Sequence, residues 1–118
     1  MKRPGQIALT LFPYTDRRGA KLRPVLLLRQ ASRQFDDWLV CMVSSQLHQT
    51  DPELDEPILP SQADFAASGL KVPSVLRLSR LAVLDGARLA GSIGEIDPAR
   101  LVRIRQRLAR WITDSATT

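Results

Sequence analysis

Two apolar runs limit what this chain can become. They are Val25-Leu26-Leu27-Leu28 and Trp38-Leu39-Val40-Cys41-Met42-Val43, joined by a polar connection over 30–37. Each is too short for a buried helix, and each is apolar at consecutive positions, so both faces of each must meet core. They read as interior strands or barrel staves. Pro24 precedes the first run. It has no N–H to give to a ladder and belongs at the strand's first residues or on an edge. Arg23 then sits at the rim where loop meets core, and Ser44 lies at the end of the second run. If the strands are antiparallel neighbours, the start of one lies beside the end of the other, and Arg23 and Ser44 share a rim. A rim guanidinium is a ready ligand for phosphate or carboxylate, and equally a ready salt-bridge partner.

The remaining pattern is mostly short strands. Ile7, Leu9 and Leu11 alternate over 7–12, a first strand opened by Pro4-Gly5. Pro13 to Gly19 is a charged turn-rich loop holding Arg17 and Arg18. Residues 47–60 form an acidic irregular loop with a short strand at Ile58, and 61–67 make one or two helical turns ended by Gly69. Residues 75–84 are apolar with Arg77, Ser79 and Arg80 interleaved, which reads as two strand pieces with a bulge. Asp85-Gly86 is a turn, and 89–96 a last short strand. The clearest element is a C-terminal helix. Asp97 is its N-cap, Pro98 its first residue, and Leu101, Ile104, Leu108 and Trp111 its buried stripe. Arg100, Arg103, Arg107 and Arg110 repeat the spacing on a neighbouring face, which reads first as solvated surface. Many short strands with one terminal helix give a small, strongly bent β-barrel or sheet.

Composition narrows the function. The 118 residues fit one domain, 1–118. Seventeen Lys+Arg against twelve Asp+Glu give +5, which favours a polyanionic or acidic partner. One cysteine, Cys41, and one histidine, His48, leave neither an internal disulfide nor a zinc set, so no metal and no cofactor is expected. No apolar stretch approaches a membrane span, and no long apolar segment follows the basic N-terminus. A soluble, cytoplasmic protein without membrane contact is expected.

Several segments, in order and spacing, resemble the MazF/PemK toxin family, the messenger-RNA interferases of bacterial toxin–antitoxin pairs. They are Phe12-Pro13-Tyr14-Thr15-Asp16, Lys21-Leu22-Arg23-Pro24-Val25-Leu26-Leu27-Leu28, Val43-Ser44-Ser45-Gln46, Gly69-Leu70-Lys71-Val72-Pro73-Ser74-Val75 and Leu81-Ala82-Val83-Leu84-Asp85. The resemblance implies a mainly β, SH3-like barrel with a short helix and a C-terminal α-helix, acting as a homodimer. It implies metal-independent cleavage of single-stranded RNA, with the RNA's own 2′-hydroxyl attacking the phosphate. The ends formed are a 2′,3′-cyclic phosphate and a 5′-hydroxyl. It places the family's functional arginine at Arg23 and its functional threonine at Ser44, with Ser45 as the alternative hydroxyl. Lys21, Arg17, Arg18, Ser45 and Gln46 are the expected RNA contacts, and a cognate acidic antitoxin the expected protein partner. Many members carry an acid after the first glycine, where this chain has Gln6. His48 is a candidate acid/base group by residue type, but it falls in a polar loop beyond the strand and the family does not need it. Two rivals predict no cleavage: a toxin that binds a protein target, as the related CcdB toxins bind DNA gyrase, and a non-catalytic nucleic-acid-binding barrel. The Arg23-Pro24 pair favours the nuclease.

Overall fold

The structure is a computed structural model that describes residues 2–11 and 21–114. Six strands form one antiparallel sheet: β1 (Gln6–Leu11), β2 (Leu22–Gln30), β3 (Asp37–Ser44), β4 (Glu56–Ile58), β5 (Ser74–Asp85) and β6 (Leu89–Glu95). Their order is β4-β5-β3-β2-β1-β6, so the two apolar runs are central neighbours and the condition for a shared rim is met. A short helix α1 (Phe65–Ser68) precedes β5, and a long helix α2 (Pro98–Thr113) ends the fold. No helix among the described residues is long and apolar enough to cross a membrane. The loop carrying Arg17 and Arg18 lies outside the described residues.

Consecutive apolar residues in β2 serve two cores. Leu26 and Leu28 join Cys41, Val43, Leu76 and Leu78 beneath Ile104 and Leu108 of α2. Val25 and Leu27 face the other way, onto Ala8, Trp38, Val40 and Leu84. Each of these four β2 side chains is essentially inaccessible, and burial of one such side chain is worth about 1.5–3 kcal/mol. The second core also changes the reading of β1. Ala8 and Thr10 are buried with Ile7, whereas Leu11 is exposed. Thr10 fits there because its hydroxyl donates to the Arg88 carbonyl at 2.9 Å.

β5 is one continuous strand with a bulge. Cys41 pairs with Leu81 and Met42 with Arg77, so the stretch between them loops out of the ladder. Asp55 occupies the gap. Its carboxylate accepts from the Ser79 N–H at 2.9 Å, from the Ser79 hydroxyl and from the Asp51 N–H at 3.0 Å. β6 approaches α1 so closely that a Cβ at Gly94 would collide with backbone of residues 67 and 68. Gly69 caps α1 in the left-handed region, φ 78°, with no room for a side chain against Ile93.

The helix begins as its sequence requires, with the Asp97 side chain accepting from the Ala99 N–H. Its arginine stripe needs correction. Arg100 is 7% exposed, not solvated. It donates to Asp64 through Nε and Nη2, both at 2.8 Å, and to Glu56 at 2.7 Å. Arg103 and Arg107 reach the same Glu56 at 2.9 Å each. Of the four arginines, only Arg110 forms no ion pair among the described residues. Burial pushes the Glu56 carboxyl up, but hydrogen bonds from Arg103 and Arg100 outweigh it and hold the group below its ordinary 4.5. Asp64 is likewise held below 3.8, chiefly by its bond to Arg100.

Candidate functional site

The rim expected from the sequence exists. Val25 pairs with Met42 across β2 and β3, and continuing that register by two residues sets Arg23 opposite Ser44. Pro24 lies just before this ladder begins, where no N–H is demanded of it by β3. Both residues line a cleft of about 680 Å³, together with Ser45 and Gln46. Lys21 is exposed but is not in the lining, and His48 sits outside it in the 3-10 turn Leu47–Gln49. Gln6 is also elsewhere, with its Oε1 accepting from the Arg3 N–H at 2.9 Å.

The Arg23 guanidinium is partly buried, and its Nε is fully buried with no hydrogen-bond partner among the described residues. Leaving such a donor unsatisfied costs about 1–3 kcal/mol, and native chains carry few of them. No described carboxylate pairs with Arg23. The salt-bridge alternative for this residue therefore has no partner among the described residues. Across from it, the Ser44 oxygen accepts from the Gln46 N–H at 3.0 Å. The strand-end hydroxyl is thus fixed by backbone and keeps its own proton to donate.

Sequence reasoning did not place Lys71, Arg77 or Gln49 here, yet all three line the cleft. Lys71 arrives on the segment after Gly69, whose left-handed turn brings the chain back along the cleft wall. Arg77 comes from β5 and is held from behind, with Nε 3.5 Å from Asp55 and Nη1 donating to the Gln49 side-chain Oε1 at 3.3 Å. The interleaving of Arg77 within an apolar strand was the available signal. Among the described residues, the charged groups of the lining are thus Arg23, Lys71 and Arg77, with no carboxylate. Aliphatic walls from Leu70, Val72 and Ile93 flank them. Cys41 takes no part, since burial raises its thiol well above the ordinary range.

A bent antiparallel sheet, one long terminal helix and a cationic rim cleft define a small β protein with a place for an anion. The chain belongs to the PemK-like, MazF-like toxins of type II toxin–antitoxin systems, whose family model matches residues 3–112. No curated protein sequence matches it. Solved structures share the fold at low identity. A mycobacterial endoribonuclease in complex with its cognate antitoxin is 18% identical, with TM-score 0.67 and 95% of each chain covered. The Mycobacterium tuberculosis toxin MazF-mt6 is 18% identical, with TM-score 0.66 over 91% of this chain and 95% of that one. MazF from Deinococcus radiodurans is 20% identical, with TM-score 0.67 over 96% and 97%.

Proposed function

We propose that this chain is a metal-independent endoribonuclease that cleaves single-stranded RNA by 2′-hydroxyl attack. The observation that carries this reading is the buried, unpartnered Arg23 Nε in a cleft whose charged groups are all cations. In-line attack spreads negative charge over the non-bridging phosphate oxygens. A guanidinium meets two such oxygens in one plane, so Arg23 stabilises that charge. Arg77, held by Asp55, supplies a second cation from the neighbouring strand. Ser44 donates a hydrogen bond to a phosphate or leaving oxygen. Attack forms the bond from O2′ to phosphorus as the 2′-hydroxyl proton passes to solvent water, and breaks the bond from phosphorus to O5′, which takes a proton from water, leaving a 2′,3′-cyclic phosphate and a 5′-hydroxyl. Arginine stays protonated at any working pH, so its role is electrostatic and not that of a base. The test is incubation of the purified chain with labelled single-stranded RNA in EDTA, followed by analysis of the ends. Cyclic phosphate ends are expected. Loss of cleavage on chelation, or products ending in a 3′-hydroxyl, would reject the mechanism.

The acting species in this reading is a homodimer. Leu81 and Val83 of β5 are 41% and 58% exposed, and Val102 and Ile112 of α2 are 54% and 69% exposed. Val83 pairs with Leu39, which with Val102 and Ile112 lines a groove of about 530 Å³. A two-fold axis through this patch would cover it. Leu84, further along β5, is instead buried in the second core. The protein partner in this reading is a cognate antitoxin, which the mycobacterial complex and a MazE–MazF complex of the same fold from Deinococcus radiodurans support, and its acidic character is part of the proposal. The net charge of +5 suits such a partner.

A further inference from the structure

Asp55 is a charged group whose place beside the cleft runs against RNA binding. Its side chain has no exposed surface, and it is not in the cleft lining. Its Oδ1 accepts from the Ser79 N–H at 2.9 Å, and its Oδ2 from the Asp51 N–H at 3.0 Å. Oδ2 also faces Arg77 Nε at 3.5 Å, and Arg77 is the ion-pair partner of Asp55 among the described residues. A carboxylate there lowers the positive potential that a phosphate meets at Arg77. For binding alone the group is unfavourable, and what it adds is orientation. Of the five guanidinium N–H donors, Nε–H points at Asp55 and one Nη1–H at Gln49 Oε1. The donors left over all lie on the Nη edge, and Nη2 has no partner among the described residues. Arg23 is the reverse case, with its Nε unpartnered.

We propose that Asp55 is a positioning residue for cleavage, which ties Arg77 by Nε so that the Nη edge is presented to the phosphate, and which lowers RNA affinity in doing so. This rests on the reading of the cleft as an RNA-cleaving site. With no exposed surface, the Asp55 side chain cannot reach RNA, so it acts through Arg77. An untethered arginine side chain samples many rotamers. Holding one of them before attack removes that entropy from the barrier. The bond to Ser79 extends the hold to the backbone, because Ser79 lies in the looped-out stretch that sets Arg77 opposite Met42. Loss of the Asp55 charge therefore moves affinity and rate in opposite directions. A residue that served only the fold would move them together.

The experiment uses the purified full chain and one labelled single-stranded RNA. Single-turnover cleavage gives the rate, and the same RNA with 2′-O-methyl riboses, which lacks the attacking hydroxyl, gives the affinity. In Asp55→Asn the amide oxygen can serve the Ser79 N–H and not Arg77 as well. This variant should bind the methylated RNA as tightly as the wild type or tighter, and cleave about tenfold more slowly, the worth of about one hydrogen bond to a charged group. In an Arg77→Gln background, adding Asp55→Asn should change the rate by less than about twofold. An unchanged rate in Asp55→Asn, a joint fall of rate and affinity, or a further tenfold fall in the Arg77→Gln background would overturn the proposal. A second measurement needs no Asp55 variant. The Arg77 Nε–H resonance of the wild type, assigned by its absence in Arg77→Gln, should exchange slowly with water, and exchange as fast as that of a free guanidinium would overturn the proposal. The two claims fail separately. Slow exchange at Nε–H in a chain that does not cleave rejects the nuclease and not the hold on Arg77, while cleavage with fast exchange does the opposite.

Discussion

Arg23 and Ser44 owe their meeting to strand register, and each carries a distinct expectation. Ser44→Ala removes one donated hydrogen bond and should slow cleavage less than loss of the arginine. Ser44→Thr should keep activity, because the Gln46 N–H still finds an oxygen at the same place. His48→Ala should be close to neutral, since that side chain is outside the cleft lining. Single-turnover rates on one labelled RNA check all three, and a Ser44→Ala variant slower than Arg23→Ala would refute the ranking. The two rim residues were legible beforehand because an apolar run, a proline and an antiparallel neighbour fix them by local rules. Gln49, Lys71 and Arg77 were not. A bulge within residues 75–84 was readable, but that it sets Arg77 opposite Met42 depends on the pairing with β3, which no local pattern reports.

The elements are tied by one ionic knot. Glu56 opens β4 and receives Arg100, Arg103 and Arg107 from α2, and Asp64 before α1 receives Arg100. Arg100→Met should cost about 3–5 kcal/mol, because it strands the buried Asp64 carboxylate without its ion-pair partner. Chemical denaturation measures this, and a loss under 1 kcal/mol would show the knot to be incidental. The same groups set an acid limit. Glu56 and Asp64 are held below 4.5 and 3.8 when folded, so the unfolded chain binds more protons as the pH falls. Their contribution is full above those ordinary values and is lost as the pH drops through the lower folded-state values. An Asp64→Asn variant should therefore lose stability less steeply with acid than the wild type, and an identical slope would contradict the assignment. Helix α2 itself was plain from its cap, its proline and its apolar stripe. The state of its arginines was not, because Glu56 lies 44 residues away from Arg100 in the chain and helical spacing cannot report it.

At the scale of the whole molecule, the proposed homodimer would cover the exposed apolar face. Val83→Asp should weaken the dimer by about tenfold or more, since burial of such a side chain is worth about 1.5–3 kcal/mol. Sedimentation across micromolar concentrations reads it, and a wild type that is only monomeric would remove the dimer. An acidic antitoxin segment should associate more slowly as salt rises. The arginines available to it are fewer than the sequence promised, because Arg100, Arg103 and Arg107 already serve Glu56. A rate unchanged from low to high salt would exclude electrostatic steering. Everything in the catalytic reading converges on one guanidinium whose Nε has no described partner. The measurement that decides it is the rate of RNA cleavage in EDTA by the wild type, Arg23→Ala and Arg23→Lys, with folding confirmed by circular dichroism. Arg23→Ala should fall by about 100–1000-fold, and Arg23→Lys should recover little, since an ammonium lacks the planar two-point contact. A folded Arg23→Ala variant that cleaves at the wild-type rate would contradict the assignment.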